Sequence, residues 1–199
     1  MKTGLYFGSF NPVHIGHMAI ANYLAEFTML DRIWFIVSPH NPLKKRESLL
    51  SGYDRLKMTE IAIGSDNERF MASDIEFRLP VPSYTIDTVT WLKEQHPSGK
   101  FSLIMGEDNL YTLHKWKNAR QLTDLCDMYV YPRKGVIKPS NEELDILLSE
   151  SRVHYVKAPL IEISGTFIRK AIASRKDIRH FLPPGVWEFI MKEGFYCKQ

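Results

Sequence analysis

His14 and His17 stand three residues apart at the mouth of a helix-forming segment, a spacing that places both rings on one face of its first turn. A short apolar run, Leu5-Tyr6-Phe7, leads into them through the turn Gly8-Ser9-Phe10-Asn11-Pro12, and Gly16 separates the pair. Strand, turn and helix in that order form an anion site, because the first N–H groups of a helix lack partners and lie at the positive end of its dipole. Two imidazoles there would donate to phosphate oxygens. A second candidate lies near the other end of the chain, at Ser164-Gly165-Thr166 with Arg169 about one turn on. Ser164 reads as an N-cap, which turns the amides of Gly165 and Thr166 outward and lets Arg169 lean back toward the helix start. Two anion sites carrying His and Arg, with no evident nucleophile or general base between them, point to direct phosphoryl-group transfer. Such a reaction needs a nucleoside triphosphate held in place, an acceptor phosphate in line, and charge neutralised on the departing pyrophosphate.

Other phosphate chemistries lack their motifs. No GxxxxGK[ST] loop occurs, and Gly4, Gly8 and Gly16 do not make the GxGxxG of a dinucleotide-binding oxidoreductase. The two cysteines, Cys126 and Cys197, are far from the histidine pair, so neither a zinc cluster nor a disulfide framework is expected. No protein metal site is expected. Mg²⁺ is expected only with the triphosphate, held through phosphate oxygens and water. The run Pro39-His40-Asn41-Pro42-Leu43-Lys44-Lys45-Arg46 reads as a basic surface loop from which Lys44 or Lys45 reaches a phosphate, and Pro132-Arg133-Lys134-Gly135 has similar chemistry after a later strand.

These residues need a scaffold that gathers loops at one edge. Short apolar runs alternate with amphipathic stretches, the pattern of a parallel sheet covered on both faces. Strands are expected near 3–8, 33–38, 70–75, 101–105, 127–131 and 153–156. Helices are expected near 16–27, 52–63, 84–95, 108–113, 119–125, 141–149, 165–174 and 185–192. The fold class is therefore α/β, a Rossmann-like doubly wound parallel sheet in one domain spanning 1–199, with a C-terminal helical part from about 164. Ligands of such sheets bind beyond the carboxyl ends of the strands, so the motif-bearing loops are expected to meet at one cleft. A net charge of +3 over 199 residues, with scattered cations, argues against nucleic acid as a partner. No apolar run approaches the roughly 18 residues of a membrane span, and a cytoplasmic location follows from that reading and the cysteine usage. The oligomeric state stays open, a homo-oligomer included.

The segment His14-Ile15-Gly16-His17, with its Gly8-Ser9-Phe10-Asn11-Pro12 lead, resembles the HxGH motif of the nucleotidylyltransferase superfamily. Ile163-Ser164-Gly165-Thr166-Phe167-Ile168-Arg169 resembles its ISSTxIR motif, with Gly165 in place of the second Ser; only one hydroxyl contact is expected to be lost there. Pro82-Ser83-Tyr84-Thr85-Ile86-Asp87-Thr88, Met105-Gly106-Glu107-Asp108, Trp116-Lys117 and Val130-Tyr131-Pro132-Arg133 resemble the SYTxDT, GxD, W-K and VxPR segments of bacterial nicotinate-nucleotide adenylyltransferases. The resemblance implies ATP and nicotinate mononucleotide as partners. It implies catalytic roles for His14, His17 and Arg169, and ATP contacts from Gly8, Ser9, Phe10, Gly16, Gly106, Asp108, Ser164 and Thr166. It assigns the mononucleotide side to Tyr84, Thr85, Trp116, Lys117 and Arg133, with Trp116 stacking on the pyridine ring and Asp108 holding the ribose. As residues alone, Trp116 fits a half-buried core position equally well, and Asp87 and Asp108 fit first-turn carboxylates. Phosphopantetheine or nicotinamide-mononucleotide adenylyl transfer is the alternative chemistry, and a non-catalytic nucleotide sensor the alternative class.

Overall fold

The structure is a computed structural model describing residues 1–39 and 49–197; Lys44 and Lys45 lie outside the described residues. Six strands, β1 (Lys2–Gly8), β2 (Arg32–Val37), β3 (Phe70–Ser73), β4 (Lys100–Gly106), β5 (Asp127–Tyr131) and β6 (Val153–Tyr155), form one sheet in the order β3-β2-β1-β4-β5-β6. Every pairing is parallel. That order reverses the direction of growth between β1 and β4, which opens a crevice at their carboxyl ends, Gly8 and Gly106.

The strands bury both faces, so successive residues serve opposite cores. Tyr6, Ile33, Phe35, Ile104 and Tyr129 pack on one side with α1 (Ile15–Phe27), α2 (Gly52–Ile63), α7 (Gly165–Ala173) and α8 (Val186–Glu193). Leu5, Ile36, Leu103, Met105, Met128 and Val130 face the other side, against α3 (Thr85–Gln95), α4 (Glu107–Leu110), α5 (Ala119–Leu125) and α6 (Glu142–Ser149). Ile168, Ile172, Val186 and Ile190 of the C-terminal helices are buried in the first of these cores, on the same side as α1. Among the described residues no helix is long and apolar enough to cross a membrane.

Boundaries differ from the sequence reading where local polar groups intervene. Strand β3 stops at Ser73 instead of continuing to Ile75, because the Ser73 hydroxyl accepts from the Ile75 amide and Ile75–Arg78 winds into a 3-10 turn. The helix expected at 108–113 is the single turn α4, followed by a 3-10 turn at Leu113–Lys115.

The turn after β3 carries a buried carboxyl group. Glu76 is 2% exposed and accepts from the Thr88 hydroxyl at 3.0 Å and the Ser83 hydroxyl at 3.2 Å, which pins the start of α3 to the sheet edge. Glu76→Ala leaves two hydroxyls without their acceptor and is expected to cost about 2–4 kcal/mol, whereas Glu76→Gln, which retains an acceptor oxygen, costs about 1 kcal/mol. Urea unfolding with an unchanged m-value measures both.

Candidate active site

Helix α1 begins where β1 has delivered the chain to the crevice. His14 is its N-cap, in extended conformation. The His14 amide donates to Nδ1 of His17 at 3.2 Å, and the two rings stack with centroids 3.7 Å apart. Because Nδ1 of His17 accepts, the proton of the neutral ring sits on Nε2. Beneath the pair lies an aromatic floor: Phe10 meets the His17 ring edge-on at 5.0 Å, and Tyr6 and Phe35 pack against Phe10. Phe10 holds φ at +43°, in the left-handed region, so its burial at 1% exposure sustains a strained backbone within the turn.

The second helix end arrives from the opposite terminus. Ser164 caps α7 by accepting from the Phe167 amide at 3.2 Å. Arg169 leans back as its position requires, donating to the main-chain carbonyl of Asn11 at 2.7 Å and to the Thr166 hydroxyl at 3.3 Å. The two ends meet closely. A Cβ on Gly165 would fall 2.8 Å from the Asn11 carbonyl oxygen and 3.2 Å from Nη1 of Arg169, and one on Gly16 would fall 3.0 Å from both Ile161 and the His14 ring. Gly165 thus lies tight against the Asn11–Arg169 contact, where a side chain would press on the Asn11 carbonyl.

One cleft of about 700 Å³ gathers these groups. Gly8, Ser9, Phe10, His14, Gly16, His17, Asp108, Arg133, Ser164, Thr166 and Arg169 all line it, together with Tyr6, Asn11 and Tyr131. Arg133 lies 3.5 Å from the Asp108 carboxylate and 3.2 Å from the Tyr131 hydroxyl, which is 3.3 Å from that of Tyr6. Gly106 sits behind this wall, where a Cβ would run into Asp108 and Arg133. Five described sequence candidates do not line the cleft, Gly106 and four residues farther away. Lys117 binds the Asp87 carboxylate at 2.9 Å and stands over the Tyr84 ring at 4.6 Å, beside Thr85 at the start of α3. Trp116 is half-buried and lines a separate hollow of about 430 Å³ with His114, Asn118, Arg120 and residues of α6. Sequence reasoning missed Tyr6 and Tyr131 as cleft residues, since aromatic residues in a strand read simply as core, and took Asn11 only as part of the turn.

The charge balance is cationic. His14 is 4% exposed, and among the described residues its Nδ1 has no hydrogen-bond partner; burial, aided by the Arg133 charge, pulls its pKa down to about 4. A neutral, desolvated imidazole beside a guanidinium suits an incoming anion, which satisfies the orphaned nitrogen and offsets the repulsion. Among the described residues no group of three or more His, Cys, Asp or Glu is placed to hold a metal ion. Unfolding restores the ordinary His pKa near 6.5, so the unfolded chain binds the extra proton between pH 6.5 and 4 and the fold loses stability as pH falls through that window. The loss attributable to His14 is expected to be on the order of 2 kcal/mol between pH 7.5 and 5. His14→Gln removes it, and urea unfolding of both proteins at the two pH values measures the difference.

The cytidylyltransferase-like family model matches residues 5–171. The chain is 52% identical, over the full length of both proteins, to a probable nicotinate-nucleotide adenylyltransferase of Flavobacterium johnsoniae, and 48% identical, again over both full lengths, to one of Flavobacterium psychrophilum. Its fold superimposes on Plasmodium falciparum nicotinic acid mononucleotide adenylyltransferase, solved in complex with NaAD, with a TM-score of 0.78 at 19% identity over 98% of this chain and 97% of the other. Matched end to end at about half identity, the chain belongs to the nicotinate-nucleotide adenylyltransferase family, within the cytidylyltransferase-like group.

Proposed function

We propose that this chain transfers the adenylyl group of ATP to nicotinate mononucleotide, releasing pyrophosphate and forming nicotinate adenine dinucleotide. The observation that carries the proposal is the meeting of two helix N-termini over one cleft, one bearing stacked His14 and His17 and the other Ser164, Thr166 and Arg169. The reading takes residues 1–199 as a single nucleotidylyltransferase domain working in the cytoplasm.

The acceptor phosphate is already ionised, so no base is needed. One of its oxygens attacks the α-phosphorus while the bond from that phosphorus to the bridging oxygen breaks and pyrophosphate leaves. Nε2–H of His17 and the α1 amides hold the α-phosphate oxygens as charge shifts among them, and His14 supports the same group from the N-cap. Arg169 and the α7 amides take the β- and γ-phosphates, the Arg169 fork exchanging the Asn11 carbonyl or the Thr166 hydroxyl for phosphate oxygen. Asp108, placed beside Arg133 at the end of β4, is suited to the ribose hydroxyls. Mg²⁺ would accompany the triphosphate, held mainly through phosphate oxygens and water, and would neutralise part of its charge.

The acceptor is expected to sit toward the start of α3 and Trp116, whose indole would stack on the pyridinium ring. Because the Lys117 charge is already matched by Asp87, selection of the acid falls to uncharged N–H donors. A carboxylate accepts on both oxygens, while an amide leaves one buried donor unpaired, a difference of about 1–3 kcal/mol. Pyrophosphate release is therefore expected to favour nicotinate over nicotinamide mononucleotide by roughly ten- to a hundredfold in kcat/KM. Trp116→Ala should weaken both and preserve the ratio. Equal wild-type values would remove the acid-selective pocket, and turnover only with phosphopantetheine would replace the acceptor.

Among the phosphate ligands, His17→Ala is expected to lower kcat by about two to three orders of magnitude with the fold intact, as for a donor used chiefly in the transition state. Arg169→Lys keeps charge without the fork and should raise the ATP KM, with Arg169→Ala far worse. Steady-state kinetics against circular dichroism separates these effects from misfolding.

A further inference from the structure

Arg55 is fully buried, at 0% exposure, on the inward face of α2 that also carries Met58, Thr59 and Ile63. Among the described residues it has no carboxylate within ion-pair distance. Its guanidinium instead donates to four main-chain carbonyls: Ser9 at 2.6 Å, Ser38 at 2.7 Å, Pro39 at 3.0 Å and Leu50 at 3.0 Å. These belong to the turn after β1, to the chain leaving β2, and to the segment entering α2. Burial lowers the Arg55 pKa from its ordinary value. A helix that needed only to fill this space would use an apolar side chain, because a desolvated cation without a counter-charge is expensive.

What the guanidinium adds is a rigid fork that fixes several carbonyls at once, a task neither lysine nor a hydrocarbon performs. Ser9 and Asn11 belong to the same turn, and Asn11 is anchored from behind as well, its Oδ1 accepting from the Tyr196 hydroxyl at 2.6 Å and from the Leu50 amide at 3.4 Å. Leu50 is thus shared: its amide reaches Asn11 and its carbonyl reaches Arg55. We propose that Arg55 is a positioning residue for triphosphate binding, clamping the turn from Gly8 to Asn11 against the exit of β2 so that His14 and His17 are presented at fixed spacing. The proposal rests on the adenylyl-transfer reading, in that the turn is taken to hold the triphosphate of ATP.

Calorimetric titration with inorganic tripolyphosphate, alongside steady-state kinetics, tests it in the full chain. Arg55→Met keeps the bulk of the stem and removes the fork. It is expected to weaken tripolyphosphate binding and raise the ATP KM together by roughly ten- to a hundredfold, as displaced binding groups do, while the KM for nicotinate mononucleotide changes less than about threefold. Arg55→Lys should fall between, and millimolar guanidinium should restore part of the ATP affinity of Arg55→Ala. A folded Arg55→Met with wild-type tripolyphosphate affinity overturns the proposal, as does an equal rise of both KM values. Should Arg55→Met fail to fold, Arg55→Lys decides on the same split between the two KM values. A wild-type chain that binds no tripolyphosphate removes the adenylyl-transfer reading and this inference with it, whereas wild-type binding with unchanged variants removes this inference alone.

Discussion

The hydrogen bond from Arg169 to the main-chain carbonyl of Asn11 ties together groups 158 residues apart, at the place where the two sides of the cleft meet. It sets the N-terminus of α7 against the turn that feeds α1, so two positive helix ends that would otherwise repel are held over a common space. The contact is close: a Cβ on residue 165 would fall 2.8 Å from the Asn11 carbonyl oxygen. The cost of gathering positive ends is met by the surrounding packing, in which Ile168 and Ile172 of α7 share a core with Ile20 and Leu24 of α1.

Electrostatically the cleft is arranged for a ligand that brings most of the negative charge. Arg133, Arg169 and the amides of two helix ends supply positive potential, Asp108 is matched by Arg133, and His14 is kept neutral by burial and by that same arginine. Burial likewise pushes the Tyr6 phenol well above its ordinary pKa, so Tyr6 presents an uncharged hydroxyl, 3.3 Å from that of Tyr131. No member of this set needs to exchange a proton during phosphoryl transfer, which is why imidazoles can serve here as donors without serving as bases.

The two buried charged side chains outside the cleft play matching parts. Arg55 holds carbonyls behind the phosphate turn, and Glu76 holds hydroxyls behind the start of α3. The hydrogen bonds each makes here go to backbone or neutral partners, so its specificity lies in direction more than in charge. Rigid backing of this kind is what a transfer reaction needs, since misplacing a phosphate by about an ångström costs far more rate than losing a peripheral contact.

Sequence alone determined the parts whose signal is local. Alternating apolar runs located all six strands, and the parallel α/β class followed, because a sheet buried on both faces needs apolar residues on both. Ser164 as an N-cap and His14 and His17 as neighbours in a first turn are consequences of residue type and helical period, and both are found where the spacing put them. Tertiary structure decided what depends on residues distant in the chain. Arg55 carried a faint signal, an arginine in register with Met58, Thr59 and Ile63 on a helix face, but the carbonyls it serves belong to three separate segments. The placement of Trp116 and Lys117 outside the phosphate cleft, the close approach at Gly165, and the return of Tyr196 to Asn11 are likewise settled by which surfaces meet, and no local propensity encodes a meeting between two ends of the chain.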